Sequence, residues 1–190
     1  MVYCDYTASG RSLNFIENFM RRFVLPSYSS DSDPDLMMSR RLKQLKFEAN
    51  QLIKESLNAG EEDSLIFSGA GCTNAIHKLI DALDLKEPPI VFISLFEHHS
   101  NLLPWRKISS KIVTIKEDKH GSVDMENLVE NLEFYSNNEK YKNVVKIGCF
   151  TAASNVTGIL NDTEEISIML HRQGFLSFWD FACDAPYVKI

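Results

Sequence analysis

The apolar run Ile90-Val91-Phe92-Ile93-Ser94-Leu95 passes directly into Glu97-His98-His99-Ser100-Asn101-Leu102-Leu103-Pro104-Trp105, and this junction constrains the fold more than any other stretch. A short, continuous apolar run rich in β-branched residues reads as a strand buried on both faces, the habit of parallel sheets. Charged and aromatic groups at the carboxyl end of such a strand stand where open α/β sheets gather their ligands. Two further strand ends carry similar groups: Ser154-Asn155 after the run 144–150, and Asp180 after the run 175–179. An imidazole, an amide and a carboxylate are thus presented by three successive strands, the beginning of a cofactor site.

The remaining pattern supports that sheet. Leu13, Phe15, Ile16, Phe19, Met20 and Phe23 predict a helix over 11–28, stopped by Pro26. Residues 27–35 read as a loop by composition. Leu42, Leu45, Ala49, Leu52 and Ile53 recur at the helical period, predicting a long helix over 36–57 that Asn58-Ala59-Gly60 closes. Leu65-Ile66-Phe67 reads as a short strand running through a glycine turn into a helix over 73–84. Strands are then expected at 90–95, 111–115, 144–150 and 175–179. Between them come a turn at 118–121, a helix marked by Met125, Leu128, Val129 and Leu132, and a helix over 163–172. That last helix opens with Asp162 and Glu165 in capping-box spacing and ends at Gly174. Alternation of helix and strand after residue 60 predicts an α/β fold, a mainly parallel, doubly wound sheet flanked by helices. The expected organisation is an N-terminal arm with helices over 1–59 and a ligand-binding domain over 60–190.

A chain of 190 residues, 44% hydrophobic and 24% charged, has the balance of a soluble globular domain with one sizeable core. A net charge of −6 argues against nucleic acid and against an anionic membrane surface as partners. It leaves a small anionic ligand open, because helix N-termini bind phosphate whatever the net charge. Cys4, Cys72, Cys149 and Cys183 are far apart and form no C-x-x-C pair, which points to a reducing compartment without disulfides or a zinc site. No apolar run reaches the roughly 18 residues that span a membrane. The first residues lack the basic and apolar segments of a signal peptide, so the expected location is cytoplasmic.

Each motif has a plain reading beside the chemical one. Ser68-Gly69-Ala70-Gly71-Cys72-Thr73-Asn74 could be a tight turn and no more, or a phosphate cradle at a helix start. A dinucleotide fingerprint would need glycine where Asn74 stands, and a Walker loop would need a lysine after the glycines. His98 and His99, leaving a strand as neighbours, should point to opposite sides, one to the ligand crevice and the other into packing or a hydrogen bond. Asp180 is either a helix N-cap or a carboxylate that holds a proton on a heterocyclic nitrogen. Asn155, with Gly158 close behind, is either a turn residue or an amide aimed at a ligand oxygen.

Taken together, these residues resemble the class V branch of the fold-type-I pyridoxal-phosphate enzymes, the group that contains cysteine desulfurases and selenocysteine lyases. Five segments match in order: Tyr3 to Ala8, Phe67 to Ala75, Glu97 to Trp105, Ser154 to Ile159, and Trp179 to Cys183. The resemblance implies pyridoxal 5'-phosphate as cofactor. Cys72 and Thr73 would hold its phosphate through backbone amides and the Thr73 hydroxyl. His98 would stack on the pyridine ring and shuttle protons. Asn155 would hydrogen-bond the phenolic oxygen, and Asp180 would pair with the ring nitrogen, making the ring an electron sink. Cys183 takes the position at which desulfurases carry a glutamine that contacts the phenolic oxygen.

The chain also departs from the family pattern. Ser29 to Asp35 contains no histidine, although family members carry one in the loop after the first helix. The family's Schiff-base lysine lies one strand beyond the aspartate, preceded by serine or histidine. After Asp180 this sequence has only Lys189, with no such signature before it. The expectation is therefore the N-terminal part of a large domain, without the C-terminal small domain. Cofactor binding should be weak or lost, and these residues should be inactive by themselves. An amino acid would be the substrate of a longer enzyme. The alternative is a non-catalytic structural or assembly subunit descended from that fold. In either case a homo-oligomer or a protein partner is expected, because a sheet cut after 175–179 exposes an edge and an apolar face.

Overall fold

The computed structural model describes residues 1–30 and 36–190, so the part of the expected loop at 31–35 lies outside the described residues. The chain divides into two compact units, 1–67 with 189–190, and 68–188.

In the first unit, α1 (Asn14–Phe19) runs on as a π-helical turn, Met20–Val24, and a 3-10 turn, Leu25–Ser27. The helix expected over 11–28 is therefore shorter and unevenly wound. Pro26 supplies no N–H for the carbonyl four residues back and its ring crowds that carbonyl, so a regular α-helix cannot continue through it. The long helix α2 spans Met37–Ser56. Asn58, at φ 54°, turns the chain left-handed behind it. The Ala59 N–H then donates to the Lys54 carbonyl at 2.9 Å and the Asn58 N–H to Glu55 at 3.2 Å, a Schellman closure. The triplet Leu65–Phe67 is not a strand, which corrects the sequence reading. An extended triplet becomes a strand only through a ladder, and no strand among the described residues pairs with it. The Leu65 carbonyl instead accepts from Asn50 Nδ2 at 3.1 Å.

The second unit holds four strands: β1 (Ile90–Ile93), β2 (Lys111–Thr114), β3 (Lys146–Thr151) and β4 (Leu176–Asp180). All pairs are parallel, in the order β2-β1-β3-β4. Four helices connect or flank them: α3 (Gly71–Ala82), α4 (His99–Ile108), α5 (Met125–Asn137) and α6 (Thr163–Arg172). Alternate residues of the strands serve alternate faces. Ile90, Phe92 and Phe150 pack with Leu128, Leu132 and Tyr135 of α5 and with Ile166 and Leu170 of α6. Val91, Ile93, Ile147 and Cys149 pack with Ile76 of α3 and Trp105 of α4. Each of these large side chains stabilises the fold by about 1.5–3 kcal/mol through removal from water. On the α6 face the fit is tight enough to demand a glycine. A Cβ on Gly148 would stand 2.5 Å from Leu170 Cδ1.

Helix α4 was not legible as a helix. Pro104 lies inside it and its first turn is polar, so the segment reads as loop. The signal that could have found it is the spacing of Leu102, Trp105 and Ile108, all of which pack into the α3–α4 face. Trp105 stacks on Phe178 at 5.9 Å between ring centroids, with 9° between the planes. Asp162 caps α6 by accepting from the Glu165 N–H at 2.9 Å, and Gly174 leaves it at φ 75°.

Candidate functional site

Because the strands are parallel, their carboxyl ends share one rim with the first turns of α3 and α4. The first turn of α3 is the hub. Its N-cap position is Ala70, which offers no side-chain acceptor; the Gly71 N–H turns back to the Gly69 carbonyl at 2.8 Å, and no side chain caps the amides that follow. Gly69 and Gly71 adopt φ of 91° and 68°, conformations that side chains resist. Asn74 Nδ2, at the position where a dinucleotide loop would need a third glycine, donates to the Ser68 carbonyl and closes the turn.

Two neighbouring residues of that turn reach in different directions. Cys72 Sγ donates to Asp180 Oδ1 at 3.2 Å. Thr73 Oγ1 donates to Ser100 Oγ at 2.8 Å, and Ser100 Oγ lies 2.9 Å from His98 Nδ1. Asp180 is the last residue of β4 rather than one past its end, and it is buried. Its Oδ1 also accepts from the Ala182 N–H at 2.9 Å, so it caps the following turn as well as facing α3.

His98 and His99 do not leave a strand side by side, because β1 ends at Ile93 and α4 begins at His99. The expectation that they point to opposite sides of a strand is corrected accordingly. His98 is the N-cap of α4, and its Nδ1 accepts from the Ser100 N–H at 3.1 Å. With Nδ1 occupied as acceptor, the neutral ring carries its proton on Nε2. The imidazole is exposed.

Asn155 is exposed on a turn in which the Gly158 N–H donates to the Ser154 carbonyl at 2.8 Å. Ser154 Oγ accepts from the amides of Val156 and Thr157. Cys183 Sγ donates to the Ala153 carbonyl at 3.2 Å, which ties the turn after β4 to the turn after β3. Hydrogen bonds thus join Cys72 to Asp180 and, through Ser100, Thr73 to His98, whereas Asn155 shares none with either pair.

Glu97 and Asn101 received no role from sequence, yet they fix this rim. The strand order reverses between β1 and β3, where open sheets form their crevice. Glu97 fills it. Its Oε1 accepts from Ser94 Oγ at 2.6 Å, the Ser94 N–H at 3.3 Å and the Thr151 N–H at 3.0 Å. Its Oε2 accepts from Asn101 Nδ2 at 2.7 Å, and Asn101 Oδ1 in turn accepts from Cys149 Sγ at 3.0 Å. Burial raises the Glu97 pKa above the ordinary carboxylate value, opposed by these donors. The available signal was position: a carboxylate two residues past the apolar run 90–95 needs donors.

Three thiols are held protonated. Cys72 is pushed up to about 12, first by burial and then by the charge and hydrogen bond of Asp180. Cys149 is raised well above its usual value by burial, and Cys183 is raised by burial and by Asp184. Asp184 is itself raised by burial, and both its oxygens lack a hydrogen-bond partner. None of the four cysteines is in a disulfide. Among the described residues no cluster of metal-binding side chains forms and no helix is long and apolar enough to cross a membrane.

The family model described as aminotransferase class-V matches residues 2–190. The chain is 28% identical over 149 residues to a probable cysteine desulfurase from Halalkalibacterium halodurans, covering 75% of this chain and 34% of that protein. It is 23% identical over 174 residues to the cysteine desulfurase SufS of Plasmodium falciparum, covering 87% and 30%. Among solved structures it resembles the apo cysteine desulfurase of Thermococcus onnurineus NA1, with a TM-score of 0.80 at 17% identity, over 97% of this chain and 45% of that one. A NifS-like protein from Rickettsia africae gives 0.77 at 22% identity, over 95% and 48%. The chain therefore spans about a third of these curated relatives, and the solved structures share its fold.

Proposed function

The chain belongs to the class V aminotransferase family, and on that premise we propose that these residues form the cofactor-holding rim of a pyridoxal-phosphate protein of the cysteine desulfurase kind. The observation that carries the reading is the hydrogen bond from Cys72 to Asp180. It brings an uncapped helix start, suited to a phosphate, up to a buried carboxylate suited to a protonated ring nitrogen.

The residues fit the group. Asp180 spends Oδ1 on Cys72 and Ala182 and leaves Oδ2 uncommitted. The amides of Cys72 and Thr73, with the Thr73 hydroxyl, would hold the phosphate. The exposed His98 ring would stack on the pyridine, and its Nε2 would take or give a proton. Asn155 offers a free amide for the phenolic oxygen. When bound, the cofactor takes up the electron pair released at the α-carbon of an amino acid. Asp180 favours that by keeping the ring nitrogen charged, and the Glu97 clamp keeps the His98 turn in register with β3.

In this reading an amino acid is the substrate of the whole protein, which works in the cytoplasm as a homo-oligomer or with a protein partner. The resemblance sets the Schiff-base lysine beyond the residues matched here, so a chain of these 190 residues holds the cofactor weakly and without a covalent bond. The test is titration with pyridoxal phosphate followed by borohydride reduction and peptide mapping. Saturable binding, abolished in Asp180→Asn and leaving no phosphopyridoxyl-lysine, is the expected result. Stoichiometric labelling of one lysine would overturn the noncovalent reading, and absence of binding would overturn the cofactor reading.

One observation favours a second reading, a non-catalytic structural or assembly subunit. Cys183, where desulfurases resemble one another in carrying glutamine, turns its thiol to the Ala153 carbonyl, leaving one fewer donor for the ring oxygen. Absence of cofactor binding in a folded chain would support this alternative.

A further inference from the structure

We propose that the Cys72 side chain is a positioning residue for Asp180, fixing the carboxylate so that one oxygen alone is presented to a cationic ring nitrogen. The proposal rests on the cofactor reading above and adds a side-chain role to a residue whose backbone alone was expected to matter.

The geometry is a three-point hold. Asp180 Oδ1 accepts from Cys72 Sγ at 3.2 Å and from the Ala182 N–H at 2.9 Å, while the backbone of Asp180 is held in the sheet by its pairing with Thr151. The two donors come from opposite directions along the chain, one from the start of α3 and one from the turn after β4. Together they stop the carboxylate from exchanging its oxygens. Oδ2 accepts nothing from the described residues, so it is the oxygen left for a ligand. Asp180 is 7% exposed, which limits the water that could compete for it.

The thiol suits this task because it stays a donor. Burial and the neighbouring carboxylate push its pKa up to about 12, so no physiological pH converts it into a second anion beside Asp180. A serine hydroxyl would serve as well, being a better donor, whereas alanine would leave Oδ1 with a single partner.

Two measurements separate this proposal from the reading beneath it. The first needs no cofactor: the rate of iodoacetamide alkylation at Cys72, followed by peptide mass spectrometry at pH 9, in the unaltered chain and in Asp180→Asn. Removing the acceptor and its charge should raise the thiolate fraction and speed alkylation by roughly tenfold, one unit of acidity. An unchanged rate means that the Cys72–Asp180 contact is absent, and the proposal falls. The second is the dissociation constant and absorbance maximum of bound pyridoxal phosphate in the unaltered chain, Cys72→Ser and Cys72→Ala. Serine should bind within about threefold of the unaltered chain. Alanine should bind roughly tenfold more weakly, the scale of one hydrogen bond to a charged group, with a shifted maximum. Rescue by serine excludes a mere packing role. Equal binding and equal spectra in alanine and the unaltered chain overturn the positioning role alone. No binding by the unaltered chain, with Cys72 alkylation still accelerated in Asp180→Asn, overturns the cofactor reading and the role at the ring with it.

Discussion

Asp184 offers the sharpest test of the physical reasoning. The residue is 5% exposed and neither carboxylate oxygen has a hydrogen-bond donor from another residue. An ionised carboxylate in that setting loses hydration that its own backbone N–H offsets only in part, so burial, with the charge of Asp180 behind it, raises its pKa in the folded state. The sign follows from linkage. Between the unfolded value near 3.8 and the raised folded value, the folded chain binds the proton and the unfolded chain does not. Stability from this group is therefore full at low pH and is lost as pH rises through the folded value. Asp184→Ala removes the group at the cost of a small void. An orphaned buried charged group costs on the order of 2–3 kcal/mol, and the void returns about 1 kcal/mol of that. The variant should be more stable than the parent by about 1–2 kcal/mol at pH 8, a rise in melting temperature of roughly 3–6 °C. At pH 4 the gain should vanish or reverse. Urea denaturation at both pH values measures the difference directly. A loss of more than about 1 kcal/mol at pH 8 would mean that Asp184 has a partner whose charge it balances, and the argument from orphaned oxygens would be refuted.

Two further substitutions probe the framework. Glu97→Ala strands Asn101 Nδ2, Ser94 Oγ and the Thr151 N–H without an acceptor. It should cost about 3 kcal/mol by urea denaturation, with Glu97→Gln milder, and a loss below about 0.5 kcal/mol would show that the clamp is not needed. Gly148→Ala forces a methyl against Leu170 and should cost about 1–3 kcal/mol, partly restored when Leu170→Ala is added. A double-mutant cycle that finds no coupling between these positions would count against the close approach.

Much of the second unit was legible because its signals are local and agree with one another. The run at β1 is apolar on both faces, Asp162 caps α6, and Gly174 ends it, so one answer satisfies period, cap and stop. The place of Asp180 at the carboxyl end of β4 was legible from the apolar run before it, and that of His98 on the same rim from the run at β1. What failed did so for physical reasons. Leu65–Phe67 has strand composition, but composition cannot supply a neighbour to pair with. The His98–His99 pair was oriented by strand alternation, yet the chain had already turned into α4, a helix whose Pro104 hides its period. Glu97 went unassigned because its meaning lies in donors from three separate segments, Ser94, Asn101 and Thr151, and no spacing in a single sequence reports that convergence.

The parallel sheet also divides the molecule by how freely it can change. Every turn that follows a strand opens onto the rim with Glu97, His98, Ser154 and Asp180, where single atoms are shared between segments. Every turn that precedes a strand, at 83–89, 109–110, 138–145 and 173–175, opens onto the other rim. There the contacts are a few carbonyls, such as Pro89 receiving the Ser110 N–H. Insertions, tags or a permuted chain end should be absorbed at that second rim, while a shift of one residue at the first would unseat several side chains together. Descendants of this sequence would accordingly diverge at one end of the sheet and stay alike at the other.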